Sequence, residues 1–282
     1  MCRYRPRGCT ELIGLLTLVA PGPQNPTLAE QKAGYGTVGF VKVTVENADE
    51  VYDFYTDHQQ PRLKATFAYF ALAAKFRPRV SFDDTARSEI KQLVGEQVRL
   101  IICINHLSSK DQYIAAATVA RSPIRRLIGH IRVLAKNDLF DDPKQKANLD
   151  MMGCIPVFRA RDNHPETAAA ASRRMIAVCV ERGVRGDSIA VFPEGTRNDI
   201  DPSTLLPLAS GVGQIAVGIA AQARVAILPM AIAYRDGTRV GADVVLGRPR
   251  EVSAGETVAD VTDALRGHLQ HAVDLAWARS PR

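Results

Sequence analysis

The residues with the clearest chemical potential lie in the stretch NHLSSKD, Asn105 to Asp111. His106 follows an apolar run, 98–104, that is typical of a buried strand, and Asp111 comes five residues after the His. If the chain folds back at this turn, the Asp carboxylate can accept a hydrogen bond from the Nδ1–H of the His. The Nε2 atom would then be an outward-facing base that activates a hydroxyl group without a metal ion.

The same stretch also has a purely structural interpretation. Ser108 or Ser109 could cap the following helix, because Ser-Ser-Lys-Asp has the spacing of a capping box. Asp111 would then lie in the first helical turn, where a carboxylate complements the helix dipole. In that case His106 would be an ordinary polar residue of the turn. On this stretch alone both interpretations stay open.

Two further polar groups directly follow apolar runs. FPEGTR places Glu194, Gly195 and Arg197 after one predicted strand, and GCIPVFR ends another in Arg159. Gly permits a tight turn, Arg offers a planar fork for phosphate, and Glu could hold the Arg or a substrate hydroxyl. Because polar groups at the carboxyl ends of parallel strands meet at one sheet edge, these residues could bind a phosphorylated acceptor near His106. Alone, each Arg would be interpreted as a surface charge.

The elements that must position these residues alternate between strands and helices. Strands are predicted at 98–104, 131–135, 153–158, 188–192 and 225–234. Helices are predicted at 111–121, 165–183, 211–223 and 258–279. Near-continuous apolar strands that alternate with helices are typical of a sheet buried on both faces. The sequence therefore predicts an α/β fold with a mixed, largely parallel central sheet covered by helices on both faces.

The N-terminal part has a different composition. Residues 1–20 combine a basic start with a short apolar run, as in a signal peptide, but Glu11 adjoins the run and Pro21 follows its end. We therefore expect a tail or a misassigned start, within a flexible segment over 1–36. A single domain is predicted over 37–282, beginning with a strand at 38–45 and a helix capped by Asn47.

An amphipathic helix is predicted over 61–77, with Pro in its first turn. Its apolar residues, flanked by Arg and Lys, are Leu63, Phe67, Phe70, Ala71 and Ala74. The favoured interpretation is that this face docks on the core. The alternative is a basic helix lying on an anionic membrane. No other apolar stretch approaches the ~20 residues that cross a bilayer, so any membrane contact would be peripheral.

Charge and cysteine content limit the classes of partner. Lys and Arg number 36 against 30 Asp and Glu, a net charge of +6, which favours phosphate esters, acidic lipid surfaces or nucleic acid. Few aromatic residues accompany the basic ones, so nucleic acid is the least favoured partner. Five scattered cysteines without CxxC spacing indicate reduced thiols in the cytosol, not disulfides or a zinc site.

Five stretches, taken together in order and spacing, resemble the sequence blocks of the glycerolipid acyltransferase family. They are NHLSSKD, AKNDLF, GCIPVFR, FPEGTR and VAILPM. The family includes 1-acylglycerol-3-phosphate and glycerol-3-phosphate acyltransferases. The resemblance covers the motif-bearing core over 98–247. The His-x4-Asp pattern is weak alone, whereas FPEGTR is strong and the ordered set is very specific.

The resemblance implies an O-acyltransferase that acts in glycerophospholipid biosynthesis. His106 would deprotonate the acceptor hydroxyl and Asp111 would orient the imidazole. The alkoxide would attack the thioester of acyl-CoA or acyl carrier protein directly, with no cofactor, metal or acyl-enzyme. The residues that bind or shape the acceptor phosphate site would be Arg159, Glu194, Gly195, Thr196 and Arg197.

The partners that follow from the resemblance are an acyl donor, a phosphorylated lysolipid and an anionic membrane surface. We expect a cytoplasmic protein, peripheral on the inner face of the membrane, with 1-acylglycerol-3-phosphate as acceptor. Phe158, Asn198 and Ala209 depart from residues common in the family, namely Asp, Ser and a nearby Lys. The alternatives are therefore another acceptor, glycerol-3-phosphate or another lysolipid, and a non-catalytic module that binds lipid phosphate.

Three other motifs have competing interpretations. GVGQIA, 211–216, matches a dinucleotide fingerprint, but no buried strand directly precedes it. Cys103 could be a nucleophile, although a buried structural Cys is commoner. His268 and His271 lie one helical turn apart, and a solvated face is favoured over a metal site.

Overall fold

A computed structural model of the chain describes residues 42–234 and 241–280. These residues form a mostly parallel mixed sheet with eight helices around it, which confirms the predicted α/β fold. The strands are β1 (Arg79–Phe82), β2 (Arg99–Ile104), β3 (Ile131–Lys136), β4 (Cys154–Val157), β5 (Ser188–Val191), β6 (Val225–Tyr234), β7 (Ala242–Leu246) and β8 (Arg250–Glu251). The helices are α1 (Ala48–Asp57), α2 (Arg62–Phe76), α3 (Ala86–Gly95), α4 (Asp111–Ala120), α5 (Pro143–Met151), α6 (Pro165–Val184), α7 (Gly211–Ala220) and α8 (Val258–Arg279).

The strand order places the ends of two motif-bearing strands side by side. The order is β1-β7-β6-β2-β5-β3-β4, and β8 pairs with β6. Strands β4, β3, β5, β2 and β6 run parallel, whereas β7 and β8 are antiparallel to β6. Because β2 and β5 are parallel neighbours, the residues after Ile104 and after Val191 emerge at the same sheet edge.

Burial along the central strands shows that helices cover both faces of the sheet. Successive strand residues point to opposite faces, yet Ile101, Ile102 and Cys103 of β2 are each at most 1% exposed. In β6 every residue from Val225 to Ala233 is buried. Unlike a sheet with one wet face, this sheet therefore has no solvated side at its centre.

The orientation of α2 differs from the favoured prediction. The helix packs on α4, and its buried residues are mostly small or apolar, namely Ala65, Ala68, Tyr69, Leu72, Ala73 and Phe76. The face predicted to dock is instead turned outward, with Leu63, Phe67 and Phe70 exposed by 88%, 56% and 50%. The alanines explain the difference, because side chains this small allow two helices to approach closely. We call Leu63, Phe67 and Phe70 the apolar ridge.

The start of the described chain also differs from prediction. Residues 42–45, the described part of the strand predicted at 38–45, form no strand. Asn47 precedes α1, but its Oδ1 atom accepts hydrogen bonds from Thr44 N and Thr44 Oγ1 instead of capping the helix. These contacts close a local turn, which replaces a strand ladder here. The flexible segment predicted over 1–36 lies outside the described residues.

A buried ion cluster joins four elements at the amino ends of the parallel strands. Asp187 Oδ2 accepts hydrogen bonds from Arg182 Nε at 2.6 Å and Arg132 Nε at 2.8 Å. Arg182 Nη1 also donates to Thr56 O of α1 at 2.8 Å. Burial alone would raise the pKa of Asp187, but the two guanidinium groups outweigh it and lower that pKa below its usual range. The cluster therefore ties α1, α6 and β3 to the start of β5.

We predict that Asp187→Asn lowers the free energy of unfolding by about 3–5 kcal/mol at pH 7, because it leaves two buried cations without their anion. Asp57→Asn is the matched control, since Asp57 pairs with Arg185 but is 81% exposed, and its loss should be at most about 1 kcal/mol. Urea unfolding measures both. The Asp187 carboxylate stabilises the fold above its unfolded-state pKa, so the difference should shrink as pH falls below about 4. Equal losses in the two variants would contradict this role.

Candidate active site

The side chain of Asn105 continues the hydrogen bonding of the sheet past the end of β2. Asn105 is 1% exposed, and its amide donates to Ile232 O at 3.0 Å and accepts from Ile232 N at 2.7 Å. It thus continues the pairing of β2 with β6 for one more residue. This pairing holds the backbone firmly at the position immediately before His106.

The predicted contact between His106 and Asp111 is present. Asp111 Oδ2 lies 2.8 Å from His106 Nδ1 and also accepts from Leu107 N at 2.6 Å and Ser108 N at 2.7 Å. Asp111 is the first residue of α4 and is fully buried. No side chain caps α4, which has Lys110 at its N-cap position, so the predicted serine cap is not formed, and only the reciprocal half of the capping box is present, from Ser108 N to Asp111 Oδ2. The Asp carboxylate itself satisfies the backbone donors of the turn.

A fourth donor to this carboxylate comes from the end of β6. Tyr234 Oη donates to Asp111 Oδ1 at 2.5 Å. Burial, together with the adjacent Asp111 carboxylate, raises the pKa of Tyr234, so the hydroxyl keeps its proton and donates it. With both carboxylate oxygens engaged, Asp111 is fixed as the acceptor for the Nδ1–H group of His106.

The imidazole of His106 is held between the core and solvent. Its ring stacks on Phe192, with centroids 4.3 Å apart and planes 28° apart. The side chain is 20% exposed. Because Asp111 engages Nδ1, the tautomer with Nε2 unprotonated is the favoured one. The arrangement can therefore present a basic nitrogen to a hydroxyl group that approaches this edge of the sheet.

Glu194 supports the backbone on which this imidazole is carried. Its Oε1 accepts from His106 N at 2.8 Å, and its Oε2 accepts from Leu206 N at 2.9 Å. Burial raises the pKa of Glu194, and the two backbone donors oppose that shift without cancelling it. The carboxylate thus joins the turn after β2 to the loop that follows β5. Its predicted role in the phosphate site stays a prediction.

The turn FPEGTR brings Arg197 close to His106. Gly195 has φ +63°, a left-handed conformation that Gly adopts readily. Two residues after Thr196, the backbone N of Asn198 donates to His106 O at 2.7 Å. The exposed Arg197 therefore lies one residue from a direct contact with the His backbone, and Thr196 is half-buried beside it.

Arg159 lies farther away. It follows β4, three strands from β2 in the sheet, which corresponds to roughly 14 Å at the usual strand spacing. Its Nη2 pairs with Asp162 Oδ2 at 2.6 Å, and its Nε donates to the same oxygen at 2.9 Å. The structure thus brings His106, Asp111 and Glu194 together but engages Arg159 elsewhere. A phosphate bound by Arg159 would compete with Asp162.

Comparison with known proteins identifies the family. A family model described as Acyltransferase matches residues 83–233, more than half of the 282 residues. The chain belongs to the glycerolipid acyltransferase family. The comparison with curated proteins gave no match. The matched region of this acyltransferase contains every predicted site residue.

The competing motifs have structural explanations in the acyltransferase. At Gly213 of GVGQIA, a Cβ atom would lie 2.6 Å from Val258 O, so this Gly allows α7 to approach α8. Cys103 is fully buried, and burial raises the pKa of its thiol, which disfavours a nucleophilic thiolate. His271 lies 3.4 Å from Asp83. Within residues 42–234 and 241–280, no group of three or more His, Cys, Asp or Glu could hold a metal ion.

Four residues of the site were not assigned roles from the sequence, namely Asn105, Phe192, Asn198 and Tyr234. Phe192 and Asn198 adjoin the residues of FPEGTR that were assigned roles, so their position near the site could have been predicted from the sequence. The contacts of Asn105 and Tyr234 depend on the pairing of β2 with β6, which are more than 100 residues apart. No local signal reveals that pairing.

We predict that Tyr234→Phe lowers the free energy of unfolding of the acyltransferase by about 1.5–3 kcal/mol, because it removes a donor from a buried carboxylate. Tyr55→Phe is the matched control, since its hydroxyl donates at 2.8 Å to Asp150, which Lys146 also neutralises. Its loss should be smaller. Denaturant unfolding compares the two variants, and a Tyr234→Phe protein as stable as wild type would refute the role of this hydroxyl.

Proposed function

We propose that the protein transfers a fatty acyl group from acyl-CoA or acyl carrier protein to a hydroxyl of a phosphorylated glycerolipid, most simply 1-acylglycerol-3-phosphate. The observation that carries this proposal is the 2.8 Å contact between His106 Nδ1 and the buried Asp111 carboxylate, at a sheet edge where the His106 side chain is 20% exposed. Family membership supports acyl transfer in general. The acceptor and the donor carrier are part of the proposal.

In the proposed mechanism His106 acts first as a base and then as an acid. Nε2 takes the proton of the acceptor hydroxyl as its oxygen attacks the thioester carbon. The C–S bond breaks, and the leaving thiolate takes the proton from the imidazolium. Asp111 stabilises the transient positive charge on the ring and holds its tautomer. This sequence needs no cofactor, metal ion or acyl-enzyme.

We assign the acceptor phosphate to the loop after β5. Arg197 is exposed, and none of the ion pairs found among the described residues involves it, so its planar guanidinium is available for bidentate binding. Gly195 and Thr196 would shape the approach, and Glu194 would hold the loop against His106. Arg159 would contribute to the same phosphate if its pair with Asp162 opens.

We further propose that the protein works at the inner face of the membrane as a peripheral protein. The apolar ridge on α2 supports this, because three large apolar side chains stand exposed beside Lys64 and other basic residues, as in helices that lie at a lipid interface. Among the described residues, no helix is long and apolar enough to span a bilayer. Cosedimentation with anionic vesicles tests this location.

We predict that His106→Ala lowers turnover by about 10³-fold or more, since general-base contributions are typically 10²–10⁴-fold. The assay is thiol release from a long-chain acyl-CoA with a phosphorylated acceptor. His130→Ala is the matched control, because His130 also lies by a carboxylate, 3.3 Å from Asp187, but at the opposite sheet edge. It should retain turnover. Near wild-type turnover by folded His106→Ala would exclude the base.

We predict that Arg197→Ala raises the KM for the acceptor by roughly tenfold to a hundredfold, the value of a charged hydrogen bond. The KM for the acyl donor should not change. Arg173→Ala, an exposed change on α6, is the control. Steady-state kinetics with each substrate varied in turn gives both constants. A raised donor KM with an unchanged acceptor KM would remove Arg197 from the phosphate site.

A further inference from the structure

A second cationic region lies apart from the site around His106. A cavity of about 330 Å³ occupies the crease between α3 and the segment that follows α4. Five of its lining residues are basic, and we call them the cationic pocket. They are Arg87, Lys91, Arg121, Arg125 and Arg126. This volume falls within the range of sites that bind small ligands.

No ion pair within the described part of the chain neutralises the charges of the cationic pocket. No acidic side chain lines the cavity, and within the described ranges none of the five cations has an ion pair. Elsewhere, exposed arginines do have carboxylate partners, as Arg224 with Glu251 and Arg248 with Glu89. Five cations around one concavity repel one another and attract an anion. An anionic ligand would relieve this repulsion.

The cationic pocket is separated from the active site by the length of α4. Asp111 is the first residue of this helix and Arg121 follows its last residue, which corresponds to roughly 15 Å at 1.5 Å per residue. Every residue from Ile114 to Ala120 is buried, so no open groove along α4 joins the two. The pocket is therefore not a part of the acceptor site beside His106.

The pocket does lie next to one end of the apolar ridge. A Cβ atom on Gly129 would lie 2.8 Å from Arg62 Cγ, so the start of α2 contacts the chain just after Arg126. Leu63, the first residue of the ridge, directly follows Arg62. The other end of α2 lies toward the active site, where Phe76 stacks on Tyr113 with ring centroids 5.5 Å apart. The ridge thus extends from the pocket toward the site.

We propose that the cationic pocket binds the phosphate of an anionic phospholipid headgroup while the apolar ridge enters the same membrane surface. This inference rests on the membrane location in the proposed function and adds a discrete lipid site to it. The five positive charges of the pocket favour a phosphate group as ligand. The adjacent apolar ridge favours the phosphate of a lipid over that of a soluble ester, because the ridge can enter the same membrane. The bound headgroup would anchor one end of α2 and leave the end near Tyr113 facing the bilayer.

The test is cosedimentation of the full chain with vesicles of phosphatidylcholine, with or without phosphatidylglycerol. Arg121→Gln/Arg125→Gln should bind anionic vesicles about thirtyfold more weakly, since each such cation contributes about fivefold. Lys144→Gln/Arg173→Gln removes the same charge at exposed positions elsewhere and should weaken binding much less. If the double variant does not fold, Arg87→Gln on α3 should lose about fivefold.

One further variant and one further assay complete the test. Phe67→Ser/Phe70→Ser should weaken binding to both kinds of vesicle, whereas the pocket variant should be impaired only on the anionic ones. Equal losses in the pocket and control variants would overturn the proposal in favour of general charge attraction. Wild-type vesicle binding with a raised KM for acyl-CoA would overturn it in favour of a soluble phosphate ester.

Vesicle binding is measured without any acyl donor, so this result is independent of turnover. Loss of anionic vesicle binding in the pocket variant, in a protein that shows no acyl transfer, would support the lipid site and refute the enzymatic proposal. Turnover with a short-chain, water-soluble 1-acylglycerol-3-phosphate should be unchanged in the pocket variant. If turnover is normal and the pocket variant binds anionic vesicles as strongly as wild type does, the lipid site is refuted and the proposed enzymatic function is not.

Discussion

The buried carboxylate of Asp111 is the constraint on which the candidate site depends. A charge removed from water costs several kcal/mol unless it is paired and hydrogen-bonded, and Asp111 is fully buried. Its compensation comes from two backbone N–H groups of one turn, the imidazole of His106 and the hydroxyl of Tyr234. The turn after β2, the start of α4 and the end of β6 must therefore meet at this carboxylate. The orientation of the imidazole follows from that requirement.

The remaining polar contacts make this arrangement rigid. Asn105 joins the backbone before His106 to β6, and Glu194 joins the backbone of His106 itself to the loop after β5. The His is thus held from both neighbouring strands, so in the proposed mechanism its Nε2 would need no rearrangement before it meets a hydroxyl. Preorganisation of this kind lowers a reaction barrier because the groups are already in place. At the opposite edge of the sheet, Asp187 secures the amino ends of β3 and β5, so each edge is stabilised by a buried carboxylate.

The fold and the contact between His106 and Asp111 were predictable because their signals are local. The bounds predicted for β6 and α8 agree with the structure, since continuous apolar runs and helical periodicity are properties of short segments. His106 and Asp111 lie within one turn, so their contact follows from the direction of the chain there. By contrast, the hydroxyl of Tyr234 reaches Asp111 only through the pairing of β2 with β6, which the sequence does not encode locally.

Two local predictions failed because other contacts form at the same positions. The helix α2 has two apolar faces, and the alanine-rich one docks because it fits closer to α4 than the phenylalanine face would. The helix α4 begins at Asp111, after both serines, and the carboxylate of Asp111 accepts from the N–H groups of Leu107 and Ser108, which precede the donors that a serine cap would satisfy. Arg159 was expected near the acceptor, but in the structure it pairs with Asp162. Sequence spacing does not predict this pair, because an Arg at a strand end can bind either a ligand or a neighbouring carboxylate.

The measurement that tests the central claim most directly is rapid mixing of the protein with a long-chain acyl-CoA, or with acyl carrier protein that carries a long-chain acyl thioester, before and after addition of 1-acylglycerol-3-phosphate. Thiol release and the intact mass of the protein are followed together. Direct attack by a hydroxyl that His106 activates predicts no thiol burst and no acylated protein without acceptor, then thiol and ester formed in equal amounts once acceptor is present. A burst of one thiol per protein with an acylated chain, or no release with any phosphorylated acceptor and either donor, would contradict the account.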